Sequence, residues 1–86
     1  MKSIKKIIAI KPYTLTLEFN GHEIRHVDLK EKFSEWIRTP DSKFKELLNP
    51  DAFQKVRLNS EIESVYWENG IDLCPDVLYH LGEGKP

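Results

Sequence analysis

Hydrophobic and polar residues alternate along the first third of the chain as they do in β-strands. Positions 14–19 alternate cleanly, with leucine or phenylalanine at every second residue. The isoleucine-rich segment 4–11 has apolar residues at both odd and even positions, which predicts a central strand covered on both faces. A third strand is predicted over positions 22–27.

An Asn-Gly step at 20–21 separates the second and third predicted strands and indicates a tight hairpin, because both central positions of a type I′ turn need a positive φ angle. A two-residue loop places Phe19 opposite His22 and Leu15 opposite His26. Opposed residues share one face of a sheet, so we expect both histidines beside apolar neighbours.

Helical spacing follows the predicted hairpin. Leu29, Phe33, Trp36 and Ile37 recur at the intervals of one helix face. Asp28 precedes this run and is placed to accept hydrogen bonds from free N–H groups of the first turn, as in a capping box. The pattern predicts an amphipathic helix with an acidic cap.

The second half of the chain predicts a short helix beginning at Thr39-Pro40 and strands over 53–58 and 63–68. Asn69-Gly70 predicts a second tight turn, and Pro75 favours the start of a last helix. This order of strands, helices, strands and helix predicts an α+β fold with a mostly antiparallel sheet.

These elements predict a single α+β domain over residues 1–82 and a flexible tail over 83–86. A chain of 86 residues has one small core and little room for an enclosed cofactor site, so no cofactor is expected. The longest apolar run, 7–10, is far below the roughly 20 residues of a membrane span. One cysteine cannot form an internal disulfide, which favours a cytoplasmic protein.

A net charge of −1 argues against general binding to nucleic acid. The charges are uneven, since lysines concentrate in the first eleven residues and acidic residues follow Ser60. Solvated edges of strands and helices explain these two charged segments most simply, and the alternative interpretation is that they are contacts for a partner protein. The candidate interaction residues are Lys5, Lys6, Glu61, Glu63, Trp67, Asp72 and Asp76.

Candidate chemistry concentrates in WENGIDLCPDVLY, residues 67–79. Asp72 and Asp76 are residue types that serve metal sites or acid–base pairs, and Cys74 lies where a helix start favours a thiolate. These sets are incomplete, because no histidine lies near Cys74 in sequence and one cysteine with three histidines lacks a recognised zinc spacing. A turn that leads into a helix, with Trp67 opposite Asp72, explains the segment more simply. We assign no catalytic, cofactor-binding or metal-binding residue.

Three stretches resemble a small bacterial family known as domain of unknown function 2442. They are LTLEFNGHEIRHVDL at 15–29, LNPDAFQKVRL at 48–58 and YWENGIDLCPDVLY at 66–79. The resemblance implies a small α+β domain without established catalytic residues. It also implies relatives fused ahead of a helix-turn-helix DNA-binding domain, and others encoded beside a small protein as in toxin–antitoxin pairs. No helix-turn-helix follows here, so the DNA-binding role of the fused form is not expected.

The preferred hypothesis is a non-catalytic regulatory or protein-interaction module, antitoxin-like in form, with a small protein as its partner. The first alternative is a small metal-dependent hydrolase that uses Asp72 and Asp76, with Asp28 or Cys74 as a further candidate. The second is a nucleic-acid-binding regulator that uses the N-terminal lysines. Homodimerisation is a further option, since it would protect the exposed edges of a small sheet.

Overall fold

The computed structural model describes residues 2–82, so the predicted tail 83–86 lies outside the described residues. It has an α+β arrangement with two three-stranded antiparallel sheets, which confirms the predicted class. Sheet A consists of β1 (Ile4–Lys11), β2 (Thr14–Phe19) and β3 (Glu23–Asp28), in that order. Sheet B consists of β4 (Arg57–Asn59), β5 (Ser64–Tyr66) and β6 (Asp72–Leu73), also in that order.

Short helices connect and flank the sheets. Their bounds are Lys30–Trp36 for α1, Lys43–Glu46 for α2, Pro50–Phe53 for α3 and Pro75–Leu81 for α4. No helix within residues 2–82 is long and apolar enough to cross a membrane.

The prediction that β1 is a central strand is wrong, because β2 lies between β1 and β3. Two β-bulges shift the register of β1, one between Ile4 and Lys6 and one between Ile7 and Ala9. Each bulge adds one residue, so the core-facing residues Ile4, Ile7 and Ile10 recur every third position. Apolar residues at both parities therefore reflect the bulges and not two covered faces.

The first hairpin has a three-residue loop instead of the predicted two. Gly21 and His22 both have positive φ angles, 82° and 64°, and Phe19 pairs with Glu23. A shift of one residue moves every side chain of the returning strand to the opposite face. The expected apolar surroundings of the histidines are therefore wrong: His22 is exposed in the loop, and His26 pairs with Thr16 on the solvent side.

The second hairpin repeats this difference. The Trp67 N–H donates to the carbonyl of Ile71 at 2.8 Å, and Gly70 has a φ of 99°, so the loop again has three residues. Such loops commonly end in a residue with positive φ, which glycine adopts without steric cost. Tyr66, and not Trp67, therefore pairs with Asp72.

The predicted helix boundaries are partly right. Asp28 accepts from the Lys30 N–H at 3.1 Å, but it is the last residue of β3, and Leu29 is the N-cap residue of α1, so the predicted cap lies one residue too early. Pro75 is the first residue of α4, as predicted. The predicted start at Thr39-Pro40 is wrong, because Ser42 caps α2 through a hydrogen bond from the Phe44 N–H.

The segment 53–58 is a strand only at its end. Asn49 caps α3 by accepting from the Asp51 N–H at 2.9 Å, and Pro50 occupies the first turn of that helix. The Asn49-Pro50 step therefore begins a short helix ahead of the strand.

Both sheets and the helices contribute to one apolar core. Its buried residues are Ile4, Leu15, Leu17, Phe19, Val27, Leu29, Phe33, Leu47, Phe53, Val56, Val65, Trp67, Leu73 and Leu78. Phe33 lies among aromatic rings, with its centroid 6.0 Å from those of both Phe53 and Trp67. An aromatic centre thus joins α1 and α3 to the end of β5.

Candidate protein interface

The basic and acidic segments meet at one point in the fold. The Lys5 ammonium donates to the Glu63 carboxylate, and this hydrogen bond lowers the pKa of Glu63 below its ordinary value. Lys6 and Glu61 lie exposed nearby in sequence but take part in no ion pair within residues 2–82. The two charged segments are therefore not two independent surfaces, since Lys5 and Glu63 already satisfy each other.

Trp67 and Asp76 have structural contacts. The Trp67 side chain is 3% exposed, and its indole N–H donates to the Phe53 carbonyl at 3.0 Å, so the expected contact with the Asp72 carboxylate is replaced by one with α3. Asp76 is half-buried and accepts from the Lys2 N–H at 2.9 Å. Asp72 is exposed and has no ion pair or side-chain hydrogen bond within the part of the chain described.

Asp72 borders an open groove of about 420 Å³ between the end of α1, α2, β6 and α4. We call it the Asp72 groove. It is lined by Trp36, Arg38, Phe44, Asp72, Leu73, Cys74 and Val77. Three segments of the chain supply these residues, around positions 36–38, 44 and 72–77, so the groove exists only in the folded protein.

An aromatic floor gives the groove its apolar character. The rings of Trp36 and Phe44 lie 5.2 Å apart between centroids, and both are half-buried. Phe33 supports them from the core, 5.7 Å from Phe44. Val77 adds an aliphatic wall that is 40% exposed. Exposed apolar side chains grouped in this way make the groove a candidate for an interaction site.

Two opposite charges stand at the rim. Arg38 and Asp72 are both exposed, and neither forms an ion pair with the other or with any residue of 2–82. Tryptophan and arginine are the residue types that contribute most to binding energy at protein interfaces. The groove therefore has an aromatic floor with one exposed charge of each sign at its rim.

The apolar surface continues beyond Asp72 on the other side of β6. Two smaller grooves share Asp72 as a lining residue, and Ile62 lines both. Ile62 is 59% exposed, the highest value among the large hydrophobic residues that are exposed within residues 2–82. Exposed aliphatic side chains thus stand on both sides of Asp72, with Val77 on one and Ile62 on the other.

The residues considered for chemistry do not converge. Cys74 is exposed at the N-cap of α4, and its thiol makes no capping hydrogen bond. Among residues 2–82, no three His, Cys, Asp or Glu side chains lie close enough together to hold a metal ion. His22 pairs with Glu18, and His26 lies 3.0 Å from the Thr16 hydroxyl. The geometry brings these groups into no common site.

A polar cluster on the opposite flank of α4 was missed from the sequence. We call Glu23, Arg25 and Tyr79 the Tyr79 clamp. Arg25 donates to Glu23 at 2.8 and 3.0 Å, and its guanidinium carbon lies 3.6 Å from the Tyr79 ring centroid. The Tyr79 hydroxyl donates to Glu23 at 2.8 Å. The hydrogen bonds from Arg25 and Tyr79 lower the pKa of Glu23.

The Tyr79 clamp fastens α4 to the edge strand β3. Arg25 also donates to the carbonyls of Tyr79 and Gly82, each at 3.2 Å. A Cβ at Gly82 would lie 2.9 Å from the Arg25 Cβ, so glycine permits this close approach. The clamp was missed because the predicted register put Arg25 on the solvent face.

The lining residues Trp36, Arg38, Phe44 and Val77 were also missed as site residues. The helical spacing assigned Trp36 to an apolar helix face, and a pattern cannot separate a buried ring from a half-buried one. Arg38, directly after the aromatic end of α1, is the signal that could have pointed to the groove.

Comparison with known proteins places the chain in a family. No curated protein is significantly similar to it. A solved structure described as a "Putative DNA Binding Protein" from Nitrosomonas europaea shares 23% identity and a TM-score of 0.74. The match covers 94% of this chain and 48% of that one, so this chain spans about half the length of that protein, and the similarity shows a shared fold. The family model "Protein of unknown function (DUF2442)" matches residues 4–84, and the chain belongs to this family.

Proposed function

We propose that this chain is a non-catalytic interaction module that binds a partner protein through the Asp72 groove. One observation carries the proposal: an aromatic floor lies between Arg38 and Asp72, two exposed charges without ion pairs in residues 2–82. A partner that covers the floor removes half-buried aromatic surface from water, which is the main favourable term in association.

The groove also suggests the chemistry of the partner. A large apolar side chain would pack on Trp36 and Phe44, an acidic residue would face Arg38, and a basic residue would face Asp72. Complementary rim charges favour encounter and register, while the apolar centre supplies affinity. In its specific form the proposal is regulatory and antitoxin-like, with a small protein encoded beside the gene as the partner. The family resemblance supports that form, because it implies relatives that are encoded beside a small protein.

Site-directed photo-cross-linking followed by calorimetry would test the proposal. A photoreactive phenylalanine analogue at Val77 should capture a partner from the native cell, whereas the same analogue at Ile8 should not. Both positions are exposed, at 40% and 45%, and Ile8 lies on β1, away from the groove. The neighbouring gene product, co-expressed and purified, is the first partner to examine.

Calorimetry with the purified partner then shows whether affinity depends on the Asp72 groove or on surface charge elsewhere. Arg38→Glu and Val77→Lys should each weaken binding by about tenfold or more, as expected for interface positions of this kind. Lys6→Glu, on the outer face of sheet A, is the matched control and should leave affinity unchanged. Equal affinity for all three variants would overturn the proposal.

DNA binding is the second candidate, favoured by the description of the structurally similar Nitrosomonas europaea protein. Lys6 and Lys11 lie on the outer face of sheet A, where Lys6 pairs with Glu18 and Lys11 with Thr14 across the ladder. Phosphate contacts make affinity fall steeply with salt. Fluorescence anisotropy with a labelled duplex at about 50 mM salt, where such contacts are strong, would show binding that Lys6→Glu and Lys11→Glu weaken. No binding under these conditions would exclude this candidate.

A further inference from the structure

The two edges of sheet A differ in how they are protected. β1 carries two bulges and three lysines, Lys5, Lys6 and Lys11. Bulges and lysines are the usual devices that prevent an edge strand from pairing with another chain. β3 has no bulge and pairs with β2 residue for residue from Glu23 to Asp28.

The outer edge of β3 is free of backbone partners in the described part of the chain. Apart from the ladder with β2, the backbone of Glu23–Asp28 forms no backbone hydrogen bond within residues 2–82. Ile24 in this strand is 47% exposed. α4 is fastened to β3 through the side chains of Glu23 and Arg25 and not through the backbone groups of the strand. An edge strand without a bulge or a lysine that carries an exposed aliphatic residue is a template for strand addition.

The sequence of β3 is complementary to itself in antiparallel pairing. With Ile24 opposite its own counterpart, Glu23 of each copy lies opposite Arg25 of the other. Opposed residues of antiparallel strands have Cβ atoms about 4.5–5.5 Å apart, close enough for both an aliphatic contact and opposite-charge contacts. Glu23 and Arg25 already pair within one copy, so the second copy would extend the Tyr79 clamp into a network of four charges.

We infer that a second copy of this chain pairs with β3 across a two-fold axis at Ile24. The product is a continuous six-stranded antiparallel sheet, and its two outer edges are the bulged, lysine-bearing β1 strands. A two-fold axis uses the same surface on both copies and closes the assembly at two. The occupant is a second copy because pairing about Ile24 brings each glutamate to an arginine.

Sedimentation equilibrium on the full chain tests the dimer and its location. The native chain should show a concentration-dependent dimer, and Ile24→Lys should raise the dissociation constant at least about tenfold, since like charges would then face each other across the axis. Ile8→Lys on β1 is the matched control, because Ile8 has nearly the same exposure, and it should change nothing. Circular dichroism confirms that both variants are folded.

Oxidative cross-linking tests the register. In a Cys74→Ser background, Ile24→Cys should form a disulfide-linked dimer on mild oxidation with diamide, because opposed strand positions suit disulfide geometry. Ile8→Cys should form no disulfide-linked dimer under the same conditions, because Ile8 lies on β1, away from the two-fold axis. A monomer at all concentrations, a dimer that Ile24→Lys does not weaken, or equal cross-linking at both positions would each overturn the inference.

Discussion

The two hairpins use the same Asn-Gly step and the same loop length, yet they are stabilised differently. The first, β2–β3, has six residue pairs, and a Cβ at Gly21 in its tip would meet nothing within 4 Å. The second, β5–β6, has only two pairs, and its tip lies against α2. There the Asn69 amide donates to the Lys43 carbonyl at 3.1 Å and to Glu46 at 2.9 Å.

The difference shows what a short hairpin needs. Six pairs with a buried face supply their own cross-strand contacts, whereas isolated two-stranded ribbons are at best marginally stable. The second hairpin is stabilised by two contacts with helices: the buried Trp67 indole donates to α3, and the Asn69 amide donates to α2. The first hairpin is held at its free edge by the partly exposed Tyr79 clamp.

The largest effect is expected at Trp67. Trp67→Ala should lower the free energy of unfolding by about 3–5 kcal/mol, because it removes a buried indole and leaves a cavity between α3 and sheet B. Urea denaturation followed by circular dichroism measures the change. His22→Ala, at the exposed tip of the first hairpin, is the control and should have almost no effect. A cost below about 1 kcal/mol for Trp67→Ala would show that this anchor is not what stabilises the second hairpin.

Effects of intermediate size on the free energy of unfolding are expected at the two turn asparagines, with a larger loss at Asn69 than at Asn20. Asn69→Ala removes two side-chain donor bonds and the bond from the Ile71 N–H, so we expect a loss of about 1–2 kcal/mol. Asn20→Ala removes one bond, from the Ser3 N–H, and should cost about 0.5–1 kcal/mol. Equal losses in the same denaturation assay would contradict the idea that the second tip depends on docking.

The smallest effect is the contribution of the first hairpin to the pH dependence of stability. The pKa of Glu23 is lower in the folded protein than in the unfolded chain, so the ionised carboxylate stabilises the fold above the unfolded value of about 4.3. This contribution is lost as the pH falls through the folded pKa. Melting temperatures between about pH 6 and pH 3, a range that spans this transition, should therefore fall less steeply for Glu23→Gln than for the native chain.

NMR can assign that transition to its hairpin. On acidification the Tyr79 resonances should shift with Glu23, while the indole N–H of Trp67, bonded to a carbonyl, should not move in the same range. Glu63 also has a lowered pKa, through Lys5, so Glu63→Gln is the companion variant. Identical pH profiles for native and Glu23→Gln chains would exclude a role of the Tyr79 clamp in acid stability.

The sequence pattern predicted the presence of strands and turns better than the register in which the strands pair. The alternation in 14–19 and the Asn-Gly steps identify both hairpins, since turn chemistry is local. Loop length is not encoded by the dipeptide alone, and one extra residue moved Arg25 from the solvent face to the clamp. The bulges of β1 were not predicted either, because a bulged strand has apolar residues at both odd and even positions, as a strand covered on both faces does.

The candidate site was predicted only at Asp72. Charge placement suggested Lys5 and Glu63, but the fold pairs them with each other. The groove depends on tertiary contacts between α1, α2, β6 and α4, and no local pattern records which aromatic rings remain half-exposed. A long stretch of sequence separates Arg38 from Asp72, so their common position is a property of the fold.

The placement of the two tryptophans has a practical consequence. Trp67 is buried with its indole N–H bonded, whereas Trp36 is half-buried in the floor of the Asp72 groove. The two tryptophans of this chain therefore report different events through their intrinsic fluorescence. In Trp36→Phe the remaining emission reports unfolding, and in Trp67→Phe it reports occupation of the groove, so a partner can be titrated without attaching a dye.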